Sequence, residues 1–368
     1  MIVHATLDHE FFSELRTAPA PGGEALHEET ISGDLADLLE EAYVRAVLAG
    51  LLHEEYEELY ARFTPQFAVP PYVTAIGLEL ETRRAGESAR SSTAFASGRW
   101  ARRAERRLAA LAEAGVVHEG TRAHLALHAR RTGGAAEDLG LRAPMPPRIA
   151  QATREECGLL SLGAGELDPR RPVLVHERMR AAILSETIAA GANETGGSVL
   201  GKIVRLPLPL AGTDTPIVTL LTAALPDRRH AGAPGQLAYD PQALVDAREL
   251  ARLRGMGESV LSAYHSHGWG CGKCNSDSRC PLPEATLVSG DDYQVLEALF
   301  PSKAALLPIA GRRMGAAGTA PVLVIHAWVG GRTEQVTWRT YDDRVAAGHD
   351  RAEAGNDPVR PSEEALLR

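Results

Sequence analysis

The feature that most constrains the fold is an apolar stretch, residues 259–264, that runs straight into His265-Ser266-His267. Side chains alternate along a β-strand, so the two histidines point to the same side of the chain. Neutral imidazoles are the commonest metal ligands in proteins. The fold must therefore place the end of this strand where two imidazoles can meet a third ligand.

A carboxylate that could serve as the third ligand follows in the segment Ser289-Gly290-Asp291-Asp292. The residues after it predict a helix to about residue 300, with Leu296 and Leu299 on its apolar side. Two histidines and one carboxylate can bind zinc and leave a fourth position for water. We therefore expect a metal site formed by a strand end and the start of a helix.

A further carboxylate, Glu194, lies upstream in the sequence Glu-Thr-Gly-Gly-Ser-Val-Leu-Gly. This segment, the His-Ser-His stretch and the Ser-x-x-Asp segment together resemble the JAMM motif of the JAB/MPN metalloprotease family, over roughly residues 172–341. The resemblance implies that His265, His267 and Asp292 bind a catalytic zinc ion. It also implies that Glu194 is the general base and that Ser289 donates a hydrogen bond to the oxyanion.

Two departures from the family pattern concern the residues after the second histidine. Gly268 stands where the family usually has proline, and 25 positions separate His267 from Asp292, more than is usual. Asp277 is nearer the usual spacing and is the alternative ligand. We prefer Asp292 because Ser289 precedes it by three residues and a helical pattern follows it.

The residues between the histidines and Asp292 include Cys271, Cys274 and Cys280. Thiolates at this spacing can share one tetrahedral zinc, which predicts a second, structural zinc ion. Its fourth ligand could be Cys157, Asp277 or a histidine. The alternative interpretations are reduced thiols without metal, a redox pair and a disulfide. The segment is expected to contact the substrate, as such insertions do in related isopeptidases.

The chain is expected to contain two α/β domains. Turn-forming residues near 133–147 predict a boundary between a smaller mixed α/β domain, residues 1–150, and a metalloprotease domain, residues 151–341. The resemblance implies an MPN core, which is a mixed sheet flanked by helices as in cytidine deaminases, with an insert at 268–288. Residues 342–368 are expected to form a flexible tail.

Three local predictions can be checked in detail. Helical spacing predicts a helix over 34–63 with Asp34 as its N-cap. A helix over 176–190 is expected to turn Met179, Ile183 and Ile188 towards a core. The region 335–339 is expected to be one strand.

The net charge of -9 argues against a nucleic-acid partner. A cluster of arginines at 99–107 is interpreted as a solvated helix face. No segment resembles a signal peptide or a membrane span, and we expect a cytoplasmic protein without a membrane partner.

The resemblance implies a zinc isopeptidase that cleaves after the C-terminal tail of a ubiquitin-like protein. Its expected partners are that modifier or its conjugates and the E1-like and E2-like proteins of a bacterial conjugation or defence system. The N-terminal domain would bind the modifier or mediate dimerisation. Two alternatives are a processing peptidase for a ubiquitin-fold sulfur carrier and a non-catalytic MPN binding module.

Overall fold

The fold is described from a computed structural model of the chain. It describes residues 2–17, 25–118, 120–132, 137–138, 141–159, 161–191, 193–227, 239–267, 288, 292–293, 296, 299–300, 303–315, 318–329 and 332–342. Within these ranges the protein is mixed α/β, with two mixed sheets flanked by helices. No helix in the described part of the chain is long and apolar enough to cross a membrane.

The first sheet comes from the N-terminal part of the chain, which we call the N-terminal unit (residues 2–138). Its strand order is β3-β2-β7-β5-β4-β1-β8, and β6 pairs with β5. Its elements are β1 (Ile2–Leu7), β2 (His9–Thr17), β3 (Ala25–Thr30), α1 (Ser32–Leu48), β4 (Glu58–Val69), β5 (Tyr72–Arg84), β6 (Glu87–Ala96), a 3-10 turn (Ser97–Trp100), α2 (Ala101–Glu113), β7 (Ala123–Arg131) and β8 (Glu137–Asp138).

The second sheet comes from residues 149–341 and has the order β16-β15-β14-β13-β11-β12-β10-β17, with β9 on β11. Its elements are β9 (Ile149–Gln151), β10 (Val173–His176), α3 (Glu177–Ala190), β11 (Gly196–Arg205), β12 (Ile217–Pro226), α4 (Pro241–Arg254), β13 (Ser259–Ser266), β14 (Leu306–Gly315), β15 (Gly318–Val329), β16 (Arg332–Val336) and β17 (Trp338–Tyr341). The predicted histidine strand is therefore central, between β11 and β14.

The predicted helix over 34–63 is wrong in its second half and at its start. α1 begins at Ser32, with Ile31 as N-cap, and it ends at Leu48 before Gly50, whose φ is 71°. The later residues Leu59, Ala61 and Phe63 are buried in alternation, which is the period of a strand rather than a helix. Apolar residues therefore recur at helical spacing before Gly50 and at every second position from Leu59 to Phe63. Interpreting the whole stretch as one helix overlooked this change of period.

Two smaller predictions also need correction. Ile188 is 53% exposed, whereas Leu184 and Thr187 are buried beside Met179 and Ile183. Five residues after Ile183, the helix has turned about 140° away from the core-facing side. The region predicted as one strand at 335–339 is split between β16 and β17.

The two units share a core. Ile203 of β11 and Ile217 of β12 belong to the same buried cluster as α1. Thr215 Oγ1 donates a hydrogen bond to the Leu48 carbonyl oxygen, 3.0 Å away. The N-terminal unit therefore packs directly against the sheet that carries the histidines.

Candidate metal centre

The pairing of β11 with β13 brings the upstream carboxylate to the two histidines. The strands are antiparallel, with Gly196 opposite His265. Beyond that pair, the Ser266 amide donates to the Thr195 carbonyl at 2.7 Å, and the Thr195 amide donates to Ser266 Oγ at 3.0 Å. Glu194, next to Thr195, is therefore held beside the His-Ser-His segment.

The other side of the histidine segment is held by β14. His265 and Ser266 pair in parallel with Ile309 and Ala310. The His267 amide donates to the Ala310 carbonyl oxygen at 2.9 Å. Backbone hydrogen bonds on both sides fix the strand end, so the positions from which the two imidazoles project are rigidly defined.

Three donor atoms converge at this strand end. His265 Nε2 lies 3.1 Å from His267 Nε2 and 3.2 Å from Asp292 Oδ1. All three lie within 4.8 Å of one another. Ligand atoms on a tetrahedral zinc with bonds near 2.0–2.1 Å are about 3.3 Å apart. The spacing of these side chains therefore fits a small divalent cation, and the residue types are those that zinc prefers.

Asp292 reaches the histidines through a helical segment despite the long separation in sequence. Asp292, Tyr293, Leu296 and Leu299 are helical, and the Phe300 amide donates to the Leu296 carbonyl at 3.0 Å. Tyr293, Leu296 and Phe300 are buried in one cluster with Ala263 of β13. Packing against the histidine strand thus holds the start of this segment over the site.

The protonation states of the site are set by burial and by neighbouring charges. Burial lowers the pKa of His265 to about 4, an effect larger than the opposing influence of Asp292. The neutral imidazole that results is the form that binds metal. Burial, followed by the negative charge of Asp292, raises the pKa of Glu194 to about 7. A carboxyl group with such a pKa can exchange protons near neutrality.

Comparison with known proteins does not assign a family. No protein-family model matches the chain, and no curated protein matches it. Among solved structures, the chain is similar to the solution structure of protein DSY2949 from Desulfitobacterium hafniense, at 15% sequence identity. That similarity covers 46% of this chain and 93% of the other, with a TM-score of 0.31. A likeness this low carries no conclusion about function.

Several predicted site residues lie outside the described residues. These are Ser289, the alternative ligand Asp277, and the three cysteines of the proposed second zinc site, Cys271, Cys274 and Cys280. The fourth cysteine, Cys157, is described and is buried in an apolar cluster with Leu159 and Leu174. Burial raises the pKa of its thiol, which favours the protonated form over the thiolate that a metal requires.

One half-buried carboxylate that sequence reasoning missed connects the two strands of the site. Glu186 of α3 accepts hydrogen bonds from Thr195 Oγ1 at 2.7 Å and from the Tyr264 hydroxyl. Thr195 follows Glu194, and Tyr264 precedes His265. Glu186 lies seven residues after the buried Met179, so helical spacing alone could have flagged a carboxylate on the inner face.

A tyrosine next to the site was missed as well. The Tyr239 hydroxyl donates to the Tyr264 carbonyl oxygen at 2.9 Å. Burial raises its pKa, and the charges of Asp292 and Glu194 raise it further. Tyr239 therefore remains a neutral hydrogen-bond donor behind the histidine strand. The sequence carried no signal for it, because its partner is a backbone oxygen of a distant strand.

Proposed function

We propose that this protein is a zinc-dependent peptidase of the JAB/MPN type, with His265, His267 and Asp292 as the metal ligands. The observation that supports the proposal best is the convergence of their donor atoms at distances near those of a tetrahedral zinc site. α3 packs on one face of the sheet that contains β11, β13 and β14, and α4 and the helical segment at Asp292 pack on the other. This layering supports the proposed MPN core.

Glu194 would be the general base in this proposal. A zinc ion bound here would polarise the scissile carbonyl group and acidify a water molecule. Glu194 would accept the proton from the attacking water and deliver it to the leaving amine. A nearby cation would also lower the pKa of Glu194 below the value of about 7 that holds without metal, so the side chain would be ionised at neutral pH. The resemblance adds Ser289 as the donor to the oxyanion.

The proposed substrate is an amide or isopeptide bond after the C-terminal tail of a ubiquitin-like protein. Cleavage would either mature the modifier precursor or remove the modifier from its targets. The E1-like and E2-like proteins of a bacterial conjugation or defence system would then act on the same modifier. The second zinc ion, on Cys271, Cys274 and Cys280, belongs to this proposal, as does the substrate contact of the segment that carries them.

The proposal is tested by incubating the full chain with a ubiquitin-like protein that has a short C-terminal extension. We expect cleavage after the tail, loss of cleavage with a chelator, and recovery on addition of zinc. Glu194→Gln is expected to lower kcat about 100-fold or more while zinc binding remains. Glu249→Gln, an exposed glutamate paired with Arg252 on α4, is the matched control.

The outcomes separate the alternatives. Equal cleavage by the wild type and Glu194→Gln would overturn the mechanism. Binding of the modifier without cleavage would indicate a non-catalytic module, and release of a residue from a sulfur-carrier protein alone would redirect the substrate. Zinc counting on pure protein tests the cysteine site, because about one zinc per chain would exclude a second ion.

A further inference from the structure

A buried carboxylate of the N-terminal unit lies at its boundary with the second sheet. Glu41 of α1 is fully buried, and Arg99 Nη1 contacts its Oε2 atom at 2.5 Å. The same oxygen accepts a hydrogen bond from Trp328 Nε1 of β15, 3.0 Å away. Glu41 therefore joins an arginine of its own unit to a tryptophan of the sheet that carries the metal ligands.

The arginine cluster at 99–107 is thus only partly the solvated helix face that the sequence predicted. Arg99 is bound to Glu41 and has only 10% of its side chain exposed. Arg103 contacts Glu29 at 2.7 Å and Asp34 at 2.8 Å. At these two positions the cluster connects elements within the N-terminal unit.

Trp328 connects Glu41 to the third metal ligand. Its ring packs edge-on against the Tyr293 ring, with 5.9 Å between the centroids, and Tyr293 directly follows Asp292. Both aromatic residues are buried in the same cluster. The Tyr293 hydroxyl accepts hydrogen bonds from the amide and hydroxyl groups of Thr333, at 2.9 and 3.0 Å.

Two basic side chains also hold Trp328 in position. The Lys303 ammonium group lies 4.6 Å from the centroid of the indole ring. The Arg171 guanidinium, which is buried, donates to the Trp328 carbonyl oxygen at 3.4 Å and to the Ala304 carbonyl oxygen at 2.7 Å. Two cations thus border the tryptophan, and the buried Glu41 carboxylate supplies negative charge beside it.

The third ligand depends on such packing more than the histidines do. His265 and His267 project from a strand that backbone hydrogen bonds hold on both sides. Asp292 comes 25 positions later, and it is placed by the packing of Tyr293, Leu296 and Phe300. A small shift of Tyr293 would therefore change the position of Asp292 while leaving the histidines in place.

We propose that Glu41 is a positioning residue of the metal centre, acting through Trp328 and Tyr293 on Asp292. This inference rests on the proposed metal site. It gives the N-terminal unit a role in forming that site, in addition to any role in recognising a partner. The N-terminal unit supplies part of the support for a ligand that lies in the other sheet.

The chain offers a matched control for this connection. Trp100 is also buried, and its Nε1 atom donates to Asp34 Oδ2, another carboxylate of α1, at 2.7 Å. This pair lies within the N-terminal unit. Substituting Trp100 or Asp34 removes a hydrogen bond from an indole to a carboxylate of α1, as at Glu41, but leaves Trp328 unchanged.

The experiment measures the metal affinity of full-length Glu41→Gln, Trp328→Phe and the double variant by competition with a chromophoric zinc chelator. Each single variant is expected to bind zinc about tenfold more weakly, as is typical when support for a metal ligand is lost. The zinc affinity of the double variant should be no lower than that of the single variant with the lower affinity, because both substitutions interrupt the same connection. Asp34→Asn and Trp100→Phe should bind zinc within about twofold of the wild type.

Cobalt substitution separates positioning from general stability. Visible absorption of bound Co²⁺ reports ligand geometry, and we expect it to change in Glu41→Gln and Trp328→Phe and to stay unchanged in the control pair, even at equal loss of thermal stability. Wild-type zinc affinity and spectra in both test variants would overturn the inference and leave the metal site intact. A wild-type protein that binds no zinc would overturn the metal site, and the inference with it. If Trp328→Phe does not fold, Glu41→Gln decides alone.

Discussion

Carboxylates that are shielded from water have opposite pKa shifts in the two halves of the molecule. In the N-terminal unit, Glu14 lies 2.7 Å from Arg16 and 2.6 Å from His128, and its pKa is lowered chiefly by the hydrogen bond from Arg16. At the end of β11 and β13, the pKa of Glu194 is instead raised, by burial and by the charge of Asp292.

The direction of the pKa shift distinguishes carboxylates that stabilise the fold from carboxylates that form a candidate functional site. A carboxylate with cationic neighbours is stabilised in its ionised form and adds to stability near neutral pH. Glu194, half-buried near the negative charge of Asp292, is instead hindered from ionising, and a bound cation would relieve this effect. Groups with strongly perturbed pKa values cluster at functional sites for this reason.

The largest effect is expected from removing one imidazole from each region. His265 and His128 are both buried and each contacts a carboxylate, Asp292 at 3.2 Å and Glu14 at 2.6 Å. His265→Ala should abolish stoichiometric zinc binding and lower peptidase activity by about 1000-fold or more, because a ligand is lost. His128→Ala should lower thermal stability and leave the zinc content unchanged, which metal analysis and a melting curve would show. Full zinc content in His265→Ala would contradict the assignment of the site.

A smaller effect is expected at the carboxylate that holds the two strands together. In Glu186→Gln the amide can accept a hydrogen bond at one end only, so either Thr195 or Tyr264 loses its acceptor. We expect kcat to fall about tenfold with little change in KM, measured on the tail-extended substrate. The control is Glu177→Gln at the start of the same helix, where the side chain pairs with Arg180. Equal kcat in both variants would show that Glu186 does not position the site.

The strands and helices that carry the site could be predicted because their signals are local. Asp240 caps α4 before a proline at its first turn, and Gly255 ends it in the left-handed conformation. The short apolar run before His265 forms β13, as predicted; His265 lies in the strand and His267 directly follows its last residue. Each of these patterns lies within a dozen or so residues of sequence.

Contacts between distant residues could not be predicted in the same way. Glu41 and Trp328 are 287 positions apart, and each looks ordinary within its own helix or strand. The register that places Thr195 opposite Ser266 depends on side chains from both strands and from α3. The first half of β4 was predicted as helix because Leu59, Ala61 and Phe63 follow the apolar residues of α1. Their alternating spacing, which is typical of a strand, was overlooked. The sequence therefore indicated the proposed ligands but not the contacts that hold them in place.

The comparison predicts that Glu194→Gln and Glu14→Gln change the free energy of unfolding of the metal-free protein in opposite directions. The folded pKa of Glu194 is raised to about 7, so its favourable contribution is complete at acid pH and is lost as the pH rises towards 7. Above pH 7, Glu194→Gln should therefore raise the free energy of unfolding, by about 1 kcal/mol after allowance for solvent at this half-buried side chain. Urea unfolding at pH 8 with a chelator present would measure it. A lower free energy of unfolding in the variant would contradict the raised pKa.

Glu14→Gln is expected to act in the other direction and by the smallest amount. The folded pKa of Glu14 is below its ordinary value, so its contribution is present at neutral pH and is lost as the pH falls below about 4. At pH 8 the variant should lose about 0.5–1 kcal/mol, because Arg16 is one-third exposed and the pair is partly screened. In urea unfolding, the difference between the wild type and the variant should shrink as the pH is lowered below about 4. Zinc affinity should be equal in both at neutral pH. If Glu14→Gln weakened zinc binding as strongly as substitutions at Glu41, the support of the metal centre would be a general property of the N-terminal unit and not of the contact between Glu41 and Trp328.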